Sequence, residues 1–348
     1  MMNTNSAATA PQTMPPDAVL MQMSLGCFVS QALYVAAKLG IADLLRTKPR
    51  AAVELAAETD TNPNALYRVL RALASVGVFT ETDSQIFALT PLAEPLGTNH
   101  PNSVREAMIW MGEEPHWRVY GEMMSSVKTG KPVWEKVHGQ AVFPYLFEAN
   151  PPLGEIFNRA MTGFSRQAIP AIVEAYDFSG ISTIADIGGG HGHLLAGILN
   201  ANAHLSGVLF DLPPVFAGAA ELLANENVAD RVELVRGDFF SEVPVRADVY
   251  LLKHIIHDWD DELCDKILQN IRAAMPEDGK VLIVDAVLPT GNEPHFGKIL
   301  DLEMLVSPGG IERTESEFRQ LLDSAGFRLN RIVPTRSPVS IVEAVKVN

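Results

Sequence analysis

The sequence predicts an α/β protein in which a helical N-terminal domain precedes a mostly parallel sheet that helices cover on both faces. Its 348 residues suit about two domains. Helical and winged-helix-like patterns occupy the first hundred residues, whereas strands and helices alternate from residue 181 onward. We therefore expect a disordered tail over residues 1–16, a helical domain over 17–100, and a second domain over 101–348 that begins with a helical linker over 101–180.

The composition favours a chain that acts on small molecules. It has 27 basic and 42 acidic residues, and the resulting net charge of −15 disfavours binding to nucleic acid or to an anionic membrane. Cys27 and Cys264 stand far apart and outside any metal-binding spacing, which favours a reducing cytoplasm. We expect no secretory signal, because the first basic residue is Lys38, and no membrane span, because no apolar run reaches ~18 residues.

The N-terminal segment, residues 17–46, is apolar almost all the way round a helix. A helix of that kind is buried. Burial against a second subunit and burial in the domain's own core both satisfy this pattern, so the segment is a candidate dimerisation element.

A winged-helix pattern follows. Ala52–Glu58 is expected to be a short helix, and a second helix begins after Thr61 or Asn62 and runs to about Ser75. Residues 78–80 and 86–90 then predict a hairpin. Because residues 51–95 carry two basic and six acidic side chains, a structural or dimerising role is favoured over DNA binding.

Residues 101–178 predict helices broken by proline and glycine and rich in aromatic and methionine side chains. Core packing and the lining of an apolar ligand pocket explain this composition equally well.

The second domain shows the alternation of strands and helices that is typical of a parallel sheet. Its candidate strands are residues 182–187, 207–212, 231–236, 248–253 and 280–287, and its candidate helices are residues 192–201, 214–225, 261–275 and 314–325. Residues 327–333 and 339–345 predict a closing antiparallel hairpin.

A glycine-rich loop follows the first of these strands. The run from Asp186 to His193 fits D-x-G-x-G-x-G, with Gly188 and Gly190 in the turn, and lacks the third glycine of a dinucleotide fingerprint. Such a loop brings a ligand close to the backbone at a helix N-terminus. It resembles the S-adenosylmethionine (SAM) loop of class I methyltransferases.

Two further acids stand at the ends of successive strands. Asp211 can accept both hydroxyls of a ribose, and Asp238 can accept from an adenine amine while Phe239 covers the ring. Open α/β sheets bind ligands along this carboxyl edge, so the joint placement supports a nucleoside-containing cofactor.

The most specific string is LKHIIHDWDD, residues 252–261, together with GGIERT at residues 309–314. The pair resembles the plant caffeic acid/flavonoid-type O-methyltransferases and their bacterial natural-product relatives over nearly the whole chain. The resemblance implies a winged-helix dimerisation domain, a homodimer, and a Rossmann-like class I methyltransferase domain with a seven-stranded sheet ending in an antiparallel hairpin.

The resemblance also implies catalytic residues. His257 occupies the position of the general base, and Asp285 and Glu312 occupy the positions of two acids that orient its ring. Asp285 is a glutamate in the plant enzymes, so here it reaches one carbon less. Lys253 and Trp259 correspond to residues on the cofactor side.

Four residues match the family's acceptor pocket: Phe157, Met161 and Phe164 in FNRAMTGFS, and Met304 in DLEM. Phe164 replaces a polar position, which favours a larger or less polar acceptor than a simple phenylpropanoid.

These features predict a SAM-dependent O-methyltransferase that acts on a hydroxylated aromatic molecule and releases S-adenosylhomocysteine. A histidine can take the phenolic proton, so no metal is required, and no metal-ligand cluster is expected beside the base. Alternatives are a relative with altered chemistry, namely N-methylation, hydroxylation or decarboxylation, and a ligand-sensing winged-helix regulator. The presence of His257 and Glu312 favours methyl transfer.

Overall fold

The computed structural model of this chain describes residues 14–216 and 218–347. The expected tail lies mostly outside this part of the chain, and its last residue, Pro16, already begins a helix. Two compact units meet at Gly112 and Glu113. The border therefore lies twelve residues beyond the expected one at residue 100, because the helix that ends at Gly112 packs on the first helix.

The first unit is mainly helical. Its elements are α1 (Pro16–Lys38), α2 (Ile41–Leu45), β1 (Arg50–Ala51), α3 (Ala52–Glu58), α4 (Pro63–Ser75), β2 (Phe79–Asp83), β3 (Ile86–Leu89) and α5 (Arg105–Gly112).

Helix α1 exposes most of its apolar surface in the single chain. Ala36 and Ala37 near its end are buried, whereas an apolar group nearer its start is 47–71% exposed: Leu20, Met21, Met23, Leu25 and Phe28. By length and composition α1 could cross a membrane, with a mean hydropathy of 1.5 over its most apolar stretch. This corrects the expectation that no segment passes that test, because the interspersed Ser and Gln residues lower the mean too little.

The winged-helix prediction describes the rest of the first unit well. The Asn62 side chain accepts from the Ala65 N–H at the start of α4, and Leu66, Leu70 and Leu73 face the core. Strands β2 and β3 pair antiparallel, and β1 adds a third strand that the sequence did not reveal. Its two residues are too few to show a pattern.

The second unit begins with helices and continues as an α/β domain. Its helices are α6 (Glu114–Gly121), α7 (Met123–Thr129), α8 (Trp134–His138), α9 (Val142–Pro144), α10 (Pro151–Ala175), α11 (His193–Ala201), α12 (Ala219–Asn225), α13 (Asp261–Ala274), α14 (Phe296–Val306) and α15 (Glu315–Ser324). Its strands are β4 (Thr183–Ile187), β5 (Ser206–Asp211), β6 (Val232–Arg236), β7 (Val249–Lys253), β8 (Lys280–Asp285), β9 (Val287–Leu288), β10 (Arg313–Thr314), β11 (Phe327–Pro334) and β12 (Ser340–Lys346).

The main sheet has seven strands in the order β11-β12-β8-β7-β4-β5-β6. Strands β4 to β8 pair in parallel, and β12 runs antiparallel to both of its neighbours. This confirms the expected mostly parallel sheet with a terminal hairpin. The strand order reverses between β4 and β7, and ligands of open α/β sheets bind at such a switch point, at the carboxyl edge.

Alternate residues of the central strands supply two cores, one on each face of the sheet. Tyr250 and Leu252 lie in the core that α13 and α15 cover, whereas Val249 and Leu251 lie in the core that α10 and α11 cover. With both faces buried, the strands hold the carboxyl edge as a rigid platform.

Candidate active site

The glycine-rich loop joins β4 to α11 through left-handed backbone. Gly188 and Gly190 have φ of +68° and +61°, which a side chain would strain. A Cβ on Gly188 would also lie 2.5 Å from Cδ1 of Ile255. The Gly190 N–H donates to Oδ2 of Asp211 at 2.8 Å. The glycines of the loop therefore leave its backbone uncovered by side chains, and the hydrogen bond to Asp211 connects the carboxyl ends of β4 and β5.

Two carboxylates of the expected cofactor site lie beside this loop. Asp186 is buried, and its Oδ2 has no hydrogen-bond partner among the described residues. Burial, followed by the charge of Asp211, raises the pKa of Asp186 to about 7. Burial also raises the pKa of Asp211. Two crowded buried acids are stabilised by a cationic ligand, because a positive charge favours their ionised forms.

The side chain of Asp238 accepts hydrogen bonds within the turn that follows it. Its carboxylate accepts from the Phe240 N–H at 2.9 Å and from the Ser241 hydroxyl at 3.1 Å. Phe239 lies beside the glycine loop, since its Cε1 would be 3.5 Å from a Cβ on Gly188. The ring of Phe239 is thus placed to border a ligand at the loop, whereas both carboxylate oxygens of Asp238 are engaged in the turn.

Lys253 is the last residue of β7 and lies near the carboxylates of Asp186 and Asp285. Its Nζ donates to the Ser165 hydroxyl at 3.1 Å. Burial lowers the pKa of Lys253 to about 8, against the opposing charges of Asp285 and Asp186. Ser165 belongs to α10, a partner that the sequence did not suggest.

His257 and Glu312 form a buried pair. The Nδ1 of His257 lies 2.6 Å from Oε1 of Glu312, and both residues are less than a tenth exposed. Oδ1 of Asp258 lies 3.5 Å from the other ring nitrogen, Nε2. Glu312 therefore fixes the ring through Nδ1 and leaves Nε2 as the nitrogen that can take a proton from a ligand.

Charge around His257 makes it a stronger base than a free histidine. Burial alone would lower its pKa, but the charges of Asp258 and Asp285 and the contact with Glu312 together raise it to about 9. Burial also raises the pKa of Asp258 to about 7, helped by the neighbouring carboxylates. The sequence did not show how many acids converge on this ring.

Asp285 contacts His254 instead of hydrogen-bonding to His257. Its Oδ1 accepts from the His254 N–H at 2.9 Å and lies 3.5 Å from Nδ1 of that ring. The rings of His254 and His257 stack with centroids 4.8 Å apart. The shorter aspartate side chain therefore acts on His257 through charge and through His254, which has a left-handed φ of +54°.

The GGIERT segment lies directly against the turn that carries His257. The Ile311 N–H donates to the His257 carbonyl at 2.9 Å, and a Cβ on Gly310 would lie 1.9 Å from that oxygen. Arg313 is 2% exposed and donates to the carbonyls of Ile256 and Trp259 at 3.0 and 3.1 Å. These contacts position Glu312 on the ring of His257.

Trp259, two residues after His257, belongs to a chain of aromatic contacts. Trp259 contacts Phe143, with ring centroids 5.5 Å apart, and Phe143 contacts Phe157 at 6.4 Å. Phe164 is 37% exposed. The structure thus connects Phe157, an expected pocket residue, to Trp259, an expected cofactor residue, through Phe143.

Met304 and Met161 lie on two different helices, α14 and α10. Met304 is 5% exposed on α14, and Met161 is half-buried on α10. Both are compatible with an apolar pocket or with core packing, so their contact with an acceptor stays a prediction.

A polar cluster that the sequence did not reveal lies next to Met304. Nε2 of the fully buried His116 is 2.9 Å from Glu303, and the Tyr120 hydroxyl donates to the same carboxylate. Burial would raise the pKa of Glu303, but these partners lower it. No spacing links residues 187 positions apart, so only the fold could show this contact.

His254, His257 and Asp285 correct one expectation about metals. Each offers a ligand atom, and the three atoms lie within 4.8 Å of one another. A cluster of candidate metal ligands that includes His257 therefore does exist among the described residues. The sequence hid it because His254, which follows β7, and Asp285, which ends β8, are 31 residues apart.

The site fits the cofactor that the glycine loop implied. The Asp186 oxygen that lacks a partner among the described residues suits a cationic ammonium group, and the backbone at Gly190 is open to close approach. Asp211 lies beside this loop at the end of β5, where its two oxygens accept from the Gly190 and Leu212 N–H groups. SAM carries an ammonium group of this kind.

Comparison with known families matches both units. Residues 21–99 match the O-methyltransferase dimerisation domain, and residues 120–328 match the O-methyltransferase domain. Helix α1 lies largely within the first match. The two matches together cover most of the chain.

Individual relatives agree with this assignment. The chain is 48% identical over 343 residues to phenazine O-methyltransferase PhzM of Lysobacter antibioticus, and the match covers 99% of each chain. It is 36% identical over 329 residues to an 8-amino-8-demethylriboflavin N,N-dimethyltransferase of Streptomyces davaonensis, covering 93% of this chain and 94% of that one.

A similar solved structure contains the product form of the cofactor. CalO1, a methyltransferase in calicheamicin biosynthesis crystallised in its S-adenosylhomocysteine-bound form, superposes with a TM-score of 0.83 at 36% identity, covering 96% of this chain and 100% of that chain. The fold, the glycine loop and both family matches lead to one assignment. The chain belongs to the O-methyltransferase family that joins a dimerisation domain to a methyltransferase domain, and it is a SAM-dependent O-methyltransferase.

Proposed function

We propose that this enzyme methylates a hydroxyl group of a fused aromatic natural product, with His257 as the general base. The observation that carries the proposal is the buried contact of 2.6 Å between His257 Nδ1 and Glu312, which leaves Nε2, 3.5 Å from Oδ1 of Asp258, as the nitrogen that takes the proton. The aromatic wall formed by Trp259, Phe143 and Phe157 supports a flat acceptor.

The base strength suits this chemistry. A phenol has a pKa of ~10, so a histidine with a pKa of about 9 accepts its proton at little cost in free energy. Glu312 and the nearby carboxylates stabilise the imidazolium that results. Bound SAM supplies an electrophilic methyl group, and the residues of the chain supply the base and the alignment.

We propose that Asp186, Asp211, the glycine loop and Phe239 hold SAM, with Lys253 and Trp259 at the edge of the site. Asp238 remains a candidate for the adenine, although its turn already uses both of its oxygens. Phe157, Met161, Phe164 and Met304 are proposed to contact the acceptor.

A labelled-methyl assay tests the proposed acceptor class. We expect transfer from SAM to hydroxylated phenazines, because of the similarity to the phenazine enzyme, and weaker or no transfer to catechols and flavonoids. Product mass and nuclear magnetic resonance would show an O-methyl group. Transfer only to simple catechols would contradict the proposal of a fused acceptor.

N-methylation is the second candidate, because one relative is named an N,N-dimethyltransferase. Aminophenazines in the same assay distinguish the two chemistries, since an amine acceptor gives an N-methyl product. A product methylated only on nitrogen would replace the primary proposal.

We also propose that the enzyme is a homodimer that buries the exposed face of α1. Phe28 is 69% exposed there in the single chain, and a large apolar patch of this kind marks an interaction site. The match to a dimerisation domain supports this assignment. With both cysteines free, we place the dimer in the cytoplasm. The net charge of −15 argues against nucleic-acid and anionic-membrane partners.

Light scattering tests the dimer. Wild type is expected to have the mass of two chains, and Phe28→Asp is expected to shift it towards one chain, because a charge in the interface loses solvation. Leu234→Asp, at an exposed apolar position on β6, is the control and should stay dimeric. A wild-type monomer would refute the proposal.

A further inference from the structure

Three side chains at the carboxyl edge form a compact set of metal ligands. His254, His257 and Asp285 each place one ligand atom within 4.8 Å of the others. We propose that they form a Zn²⁺ site whose occupation inhibits methyl transfer. The inhibitory part of this inference rests on His257 being the base.

Two of the ligand groups are buried and lack hydrogen-bond partners among the described residues. They are Nδ1 of His254 and Oδ2 of Asp285, and the Asp285 side chain is fully buried. Buried polar atoms without partners cost free energy. A cation that accepts both lone pairs removes this cost.

The spacing suits a tetrahedral ion. Ligands at ~2.1 Å from zinc are separated from each other by about 3.4 Å. Nδ1 of His254 already lies 3.5 Å from Oδ1 of Asp285. The ligand atoms of all three residues lie within 4.8 Å of one another, so the His257 ring is near enough to join the other two around one ion after local adjustment.

The surrounding contacts orient the ligands as zinc sites require. Metal-binding histidines usually donate their second ring N–H to a carboxylate, and Glu312 lies 2.6 Å from Nδ1 of His257. Nε2 is then the nitrogen that faces the ion. Asp285 is held by the His254 N–H, and His254 is fixed by its left-handed backbone.

The donor set favours zinc over magnesium and calcium. Two imidazoles and one carboxylate suit zinc, whereas magnesium and calcium take oxygen ligands. Three protein ligands leave a fourth position for water, as in other open zinc sites. An ion at this place occupies the lone pair of His257 that would otherwise take the acceptor proton.

Isothermal titration calorimetry with ZnCl₂ on the full-length enzyme tests binding without reference to activity. One site per chain is expected, with no site for MgCl₂. Co²⁺ in place of Zn²⁺ should give the visible absorption of a tetrahedral complex.

The main variant is His254→Asn, because asparagine tolerates a left-handed backbone and removes the imidazole. It should weaken Zn²⁺ at least ~10-fold, since even outer-shell changes cost that much. The control is His204→Ala, whose ring bonds the Phe178 carbonyl at the opposite edge of the sheet. It should leave zinc binding unchanged.

Two results would overturn the zinc site: no zinc binding to wild type, or equal binding to His254→Asn. In the methyl-transfer assay, zinc should inhibit wild type reversibly, with EDTA restoring the rate, and each variant is compared with its own zinc-free rate. Zinc binding without inhibition would refute the inhibitory role. Absence of methyl transfer by the zinc-free enzyme would instead count against the proposed function and leave the binding result standing.

Discussion

Replacement of His257 by alanine is expected to lower the rate of methyl transfer by about 10²–10⁴-fold. The variant loses the group that accepts the acceptor proton but keeps the glycine loop, Asp186 and Asp211. Its affinity for SAM, measured by calorimetry, should therefore stay close to that of wild type. Single-turnover assays with labelled SAM would measure the loss directly.

His204→Ala is the matched control for this variant, because it removes a histidine far from the carboxyl edge. It should retain full activity. An unchanged rate in His257→Ala would remove His257 from the role of base, and a loss of SAM affinity equal to the loss of rate would point to a binding role instead.

The pH profile of methyl transfer is a second test of His257 as the general base. Only the neutral imidazole accepts a proton, so kcat/KM should rise by about tenfold per pH unit and level off near the raised pKa of about 9. Glu312→Gln removes a negative charge from the ring, which lowers the pKa of His257. Its profile should therefore level off at a lower pH.

Substitution of Gly310 by alanine is the second change with a large expected effect. The added Cβ would lie 1.9 Å from the His257 carbonyl oxygen and 2.4 Å from the carbonyl carbon of Asp258. Both contacts are with backbone, so the turn that carries the base must move. A displacement of about 1 Å can cost 10²-fold in rate, and we expect at least that loss.

The same clash should destabilise the second unit by about 1–3 kcal/mol. Denaturant unfolding would measure this free energy. Gly121→Ala is the control, because a Cβ at this position on α6 meets nothing within 4 Å. It should leave rate and stability near wild type, and a fully active Gly310→Ala would show that the two segments do not depend on each other.

The sequence predicted the fold closely where local patterns were strong. The alternation from residue 181 located β4 to β8 within a residue or two at most ends, and Asn62 with Pro63 marked the start of α4. Helix α14 was missed because its apolar residues include Phe296 and Ile299, which are exposed and give no clear stripe. Strands β9 and β10 are two residues each and leave no periodic signal.

The candidate site was predictable where a motif carried it. His257, Glu312 and the glycine loop were all read from short strings. The contact of Asp285 with His254 and the raised pKa of Asp258 depend on the packing of separate strands and turns. His116 and Glu303 meet across 187 residues, and no local pattern records such a pair.

The hydrogen bond from Ile311 to the His257 carbonyl has a consequence for the lifetime of the active arrangement. Any local opening that frees this N–H to exchange with solvent also withdraws Glu312 from the imidazole, because adjacent residues make the two contacts. The local unfolding of this segment and the loss of the His257 ring orientation are then the same equilibrium. The free energy of that local opening sets the fraction of enzyme molecules in which Glu312 holds the His257 ring. The same opening therefore limits both the local stability of the site and the rate of turnover.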